Sequence, residues 1–150
     1  MRRVLLTLLI LFSGLPSAGI AGDVRALVLV TARDSALTAV SADQVRKAYL
    51  GVPIIVNGQR LQPLQNRSDE LLDEVFLQKA VFLSRPAFER QLLSRVFRLG
   101  GQKPATYDDA AALLLNLRRT PGAVTYVWAS TLAPNPDLRV VATLWTGAVQ

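Results

Sequence analysis

The segment Thr120-Pro121-Gly122-Ala123-Val124-Thr125-Tyr126-Val127 constrains the fold most, because a helix, a tight turn and an apolar strand must meet within it. Proline fixes φ and cannot donate into a helix interior, and the glycine after it tolerates positive φ, so Pro121-Gly122 stops the helix that enters from Thr106–Arg119. The run AVTYVW is uncharged and rich in β-branched and aromatic residues, which predicts a strand covered on both faces in an α/β layer.

The N-terminus reads as a targeting segment. Arg2 and Arg3 precede an apolar run from Val4 to Phe12, too short to span a bilayer, and Gly19-Ile20-Ala21 offers small residues for cleavage. Residues 1–21 are expected to be a signal peptide and residues 22–150 one domain, with no membrane span left after cleavage. The formal charge is +6; without Arg2 and Arg3, 15 basic residues face 11 acidic ones, a net +4. The basic residues are spread singly along the chain, which argues against a nucleic-acid partner. The absence of Cys and His removes disulfides, thiol and imidazole chemistry and most transition-metal sites, so no metal, cofactor or catalytic residue is expected.

In chain order, Val24–Thr31 predicts a buried strand, and the loop after it places Arg33 and Ser35 at its carboxyl end, the edge where open α/β sheets bind ligands. Ser41 and Gln44 form a capping box for a short helix closed by Gly51. Pro53–Val56 and Leu61–Leu64 flank Asn57-Gly58, a hairpin signal. Ser68 reads as the N-cap of a helix whose acids Asp69, Glu70, Asp73 and Glu74 complement its dipole. Ser84 and Pro86 open the next helix, with Phe88, Leu92, Leu93, Val96 and Phe97 on its buried side. Thr106 is expected to cap a helix that is apolar almost all round from Ala110 to Leu117, hence deeply buried. Leu138–Trp145 reads as the last strand.

The segments VRKAYLG, NGQRLQPL, VFLQKAVFLSRPAFERQLLSRVFRLGGQKP and TPGAVTYV, in this order and spacing, resemble the small, single-lobe PstS-like relatives of the phosphate-binding protein of ABC transporters. The resemblance covers roughly residues 24–145. It implies an α/β fold, a single lobe of the type II periplasmic-binding-protein kind with a mixed sheet and helices on both faces, and a non-enzymatic, periplasmic role in binding phosphate or a similar oxyanion. Leu92-Leu93 stands where the family often has Tyr-Trp, and Thr125 where Gly is usual. The family's Arg-Ser-Asp-Gly-Ser-Gly-Thr anion loop is here Arg67-Ser68-Asp69-Glu70-Leu71-Leu72-Asp73, so Arg67, Ser68 and Asp69 carry over and the rest does not. Arg67 as a guanidinium and Ser68 at a helix N-terminus are the implied ligand groups, with Arg33 and Ser35 facing them across a cleft. A second reading keeps the lobe as an interaction module for a membrane transporter, porin or sensor, without phosphate binding.

Overall fold

The computed structural model describes residues 22–149; the expected signal peptide lies outside them. The chain runs β1 (Val24–Ala32), α1 (Ala42–Tyr49), β2 (Ile55–Val56), β3 (Gln59–Arg60), β4 (Gln62–Asn66), α2 (Glu70–Phe76), a π-helical turn (Leu77–Val81) and α3 (Arg85–Leu99). It continues through β5 (Ala105–Tyr107), α4 (Ala110–Arg119), β6 (Ala123–Trp128), a 3₁₀ turn and β7 (Leu138–Ala148). Five strands form one mixed sheet in the order β5-β4-β6-β1-β7. The β4 strand is parallel to β5 and β6, and β1 is antiparallel to β6 and β7.

The two apolar runs lie side by side at the sheet centre because only a strand covered on both faces can bury every side chain. Along β1, Leu27 and Leu29 face one core with Tyr49, Phe76, Phe88 and Leu92, while Val28 and Val30 face another with Leu113 and Leu117. The first core is covered by α1, α2 and α3, the second by α4, so helices occupy both faces. All six residues of β6 are buried, including Thr125, whose hydroxyl donates to the Leu64 carbonyl at 2.9 Å.

The Ser41–Gln44 capping box forms in both directions, and Asn57 and Gly58 both take positive φ between β2 and β3. Several expectations change. The hairpin is confined to β2 and β3, and the segment expected as its second arm is instead β4, a strand of the main sheet that runs on to Asn66. Thr106 lies within β5, and Asp109 caps α4 by accepting from Ala111 N and Ala112 N at 3.4 and 3.1 Å. Helix α4 buries only the stripe Leu113 and Leu117, and Leu115 is exposed, because a helix on the outside of a two-layer contact has one covered face. On α3 only Phe88 and Leu92 are buried; Leu93 and Phe97 point outward.

Candidate functional site

The loop after β4 is organised by Asn66. Its amide donates to the Tyr126 carbonyl at 3.1 Å, and its Oδ1 accepts from the Ser68 backbone N at 3.1 Å and from the Ser68 hydroxyl at 2.6 Å. The hydroxyl expected to cap α2 is thus turned back onto β4. Asp69 takes the N-cap instead, with Oδ1 accepting from Leu72 N at 3.1 Å and Oδ2 from Trp128 Nε1 at 3.0 Å. An anion at this helix end would meet the Asp69 carboxylate already in place and Glu70 next to it. Arg67 is exposed, its Nε 3.9 Å from the Asp108 carboxylate.

Arg33 and Ser35 lie elsewhere. Because β1 is antiparallel to β6, and β6 is parallel to β4, the carboxyl end of β1 meets the amino ends of β4 and β6. The structure therefore places Arg33 and Ser35 at the sheet edge opposite Arg67, Ser68 and Asp69. Among the described residues the two groups stand at opposite ends of the strands and do not face each other across a cleft as the sequence suggests. The Ser35 loop is tied down locally: its hydroxyl accepts from Leu37 N at 3.2 Å, and Arg139 donates to the carbonyls of Ser35 and Leu37.

From the sequence Asp73 is expected to serve the helix dipole, but this carboxylate is 1% exposed. Tyr126 donates its hydroxyl to Oδ1 at 2.5 Å, and the Gln65 amide approaches the same oxygen at 3.4 Å. Oδ2 faces Arg85 Nη1 at 2.7 Å as an ion pair rather than an aligned hydrogen bond. The signal was present: Asp73, Phe76, Leu77 and Ala80 recur at i, i+3, i+4 and i+7, so the acid falls on the apolar stripe. Around it Phe76 stacks on Tyr126 with centroids 3.7 Å apart, and Tyr49 meets Phe76 edge-on. With its oxygens occupied from three sides, Asp73 holds α2 and α3 to the sheet and offers nothing to a ligand.

Burial pushes the Tyr49 and Tyr126 hydroxyls well above the ordinary tyrosine range, and the Asp73 charge adds to the effect at both. Both therefore donate at neutral pH. A raised folded-state value gives stability that is complete below the unfolded value of 10.0 and is lost as pH rises above it, where the unfolded chain sheds its protons first. Urea titrations at increasing alkaline pH should show the unfolding midpoint falling above that point. In Tyr126→Phe the fall should be shallower.

A concavity lies at the amino ends of β4 and β5. This cleft of about 250 Å³ is bounded by the α1–β2 connection and by the loop from α3 to β5. Its polar lining is Arg60, Gln62, Gln102, Lys103, Tyr107 and Thr120, over a floor that includes Ala48, Leu61 and Pro63. Two cations and no acid line it, so its field is positive. Among the described residues, no group of three or more His, Cys, Asp or Glu side chains could hold a metal ion.

The chain is similar in structure to holo ArgBP from T. maritima, with 14% sequence identity, 84% of this chain and 43% of that one covered, and a TM-score of 0.45. A mutant of the same ArgBP gives 14% identity, coverage of 84% and 42%, and a TM-score of 0.44. The chain thus spans less than half the length of these proteins. No protein-family model matches it, and neither does any curated protein.

Proposed function

We propose that the chain is a secreted, periplasmic binding protein for a small oxyanion such as phosphate, and that the anion is held in the cleft between Arg60 and Lys103. The observation that carries this reading is the charge of the cleft, two cations with four neutral hydrogen-bonding side chains and no acid. A guanidinium and an ammonium can both donate charge-assisted bonds to a tetrahedral or planar anion. The loop of Arg67, Ser68 and Asp69, which the family resemblance brings forward, is filled by its own carboxylate cap and supports the role less well. An open cleft leaves the ligand in contact with water, so binding is weak and sensitive to salt. A membrane transporter, porin or sensor would read the loaded state.

Calorimetry with inorganic phosphate at low ionic strength tests the assignment. Arg60→Ala and Lys103→Ala should each weaken binding about tenfold, the loss of one charge-assisted contact, whereas Arg67→Ala should leave it unchanged. Absence of heat with the unaltered protein would remove the reading. Loss of binding in Arg67→Ala alone would move the site to the loop after β4. No helix among the described residues is long and apolar enough to cross a membrane.

A further inference from the structure

The excess charge is concentrated in one place. Between positions 85 and 103, Arg85, Arg90, Arg95, Arg98 and Lys103 stand against Glu89, an excess of +4, while the rest of residues 22–149 has ten basic and ten acidic side chains. Arg85 is neutralised by the buried Asp73, so the basic residues that look dispersed along the chain leave a local excess of +3 on the rest of α3 and the loop that follows it.

The same helix carries the two most exposed large apolar side chains among the described residues, Phe97 at 84% and Leu99 at 70%. Leu93, at 40%, lies one turn before Phe97 on the face turned away from Phe88 and Leu92. Arg90 continues that outer face, and Arg98 flanks Phe97. Beside them a shallow depression of about 390 Å³ is lined by Gln91, Ser94, Arg95, Arg98 and Leu99. A helix with apolar residues on both its covered and its open face has a second surface to bury.

We propose that the outer face of α3 docks on an anionic phospholipid surface, with Leu93 and Phe97 entering the interfacial layer and Arg90 and Arg98 at the level of the phosphates. Guanidinium groups on long stems reach headgroups while an aromatic and an aliphatic side chain between them leave water. A second copy of the chain is disfavoured, because it would bring an equal positive excess against the first. A protein partner would need an acidic-rimmed groove shaped to this helix. A bilayer needs only a flat anionic surface, which suits exposed side chains projecting from one face of a helix.

The test is flotation of the protein, purified as its host processes it, with vesicles of phosphatidylcholine alone or of equal parts phosphatidylcholine and phosphatidylglycerol. The expected result is retention on the anionic vesicles only, weakened by added salt. It should fall about tenfold or more in Arg90→Glu/Arg98→Glu and in Phe97→Ser. These side chains are exposed, so circular dichroism should show the fold intact in each variant. Arg60→Ala should float like the unaltered protein, which separates failure here from failure of the cleft assignment. No retention on anionic vesicles, or equal retention of the α3 variants, overturns the proposal. So does binding to soluble polyglutamate without vesicle binding, which would assign the face to an acidic protein, or release by inorganic phosphate when chloride of equal ionic strength has no effect.

Discussion

Asp73→Ala is expected to lower unfolding stability by about 3–5 kcal/mol, the range for removing one partner of a buried ion pair. The carboxylate is 1% exposed and accepts from Tyr126 while pairing with Arg85. Its removal leaves the buried Tyr126 hydroxyl without an acceptor and Arg85 without its counter-ion. The Arg85 side chain is 33% exposed, so water recovers part of its loss and places the effect toward the lower end. Urea unfolding monitored by tryptophan fluorescence reads the change directly, since Trp128 lies on the same strand as Tyr126. Tyr126→Phe keeps the ion pair and removes one hydrogen bond, so its cost should be about 1.5–3 kcal/mol, that of a bond to a charged group. If Asp73→Ala costs no more than Tyr126→Phe, the ion pair does not hold the helices to the sheet.

Gly122→Ala should be nearly as damaging, by about 2–5 kcal/mol, for a different reason. Gly122 has φ +77°, and a Cβ there would lie 2.1 Å from the Arg60 carbonyl oxygen and 2.7 Å from the Gln59 side-chain Nε2. The Gln59 side chain can swing away, but the closer clash is with backbone, so no rotamer relieves it. Relief would pull apart the bond from Gln62 N to the Gly122 carbonyl, 2.9 Å, which joins the start of β4 to the start of β6. Gly58 provides the control, with φ +76° and nothing within 4 Å of an added Cβ. Gly58→Ala should therefore show only the conformational cost of a left-handed residue, about 1–2 kcal/mol. Equal losses in the two variants would show that close approach contributes nothing at Gly122.

The elements read correctly from the sequence share one property: their signal is local. The runs of Val and Leu in β1 and the AVTYVW of β6 announce strands buried on both faces. Ser41 with Gln44, Ser84 with Pro86, and Asn57 with Gly58 announce their caps and turn because the partners stand within three residues of each other. The β5 strand has no such local signal. Three mostly exposed residues carry no periodicity, and they are a strand only because Leu64, Gln65 and Asn66 lie alongside. Ser68 and Asp69 are both good capping residues, and the choice between them draws on distant contacts: the Tyr126 carbonyl holds the Asn66 amide that takes the serine, and Trp128 orients the aspartate.

The candidate site was less legible than the fold. Arg67, Ser68 and Asp69 are adjacent in sequence and remain adjacent in space, but Arg33 and Ser35 could join them only if β1 ran parallel to β4. Strand direction leaves no trace in the residues of a strand buried on both sides, since the pattern of apolar side chains is the same either way. The cleft lined by Arg60 and Lys103 likewise draws on segments more than forty residues apart, which only the parallel pairing of β4 with β5 brings together.

By itself, then, the sequence determined where the chain stiffens and turns, through backbone and side-chain preferences that act over a few residues. The tertiary structure decided which faces are covered. It placed Asp73 under the sheet, left Phe97 and Leu93 in water, and separated the expected anion groups, because burial and strand direction are set by what packs from elsewhere in the chain.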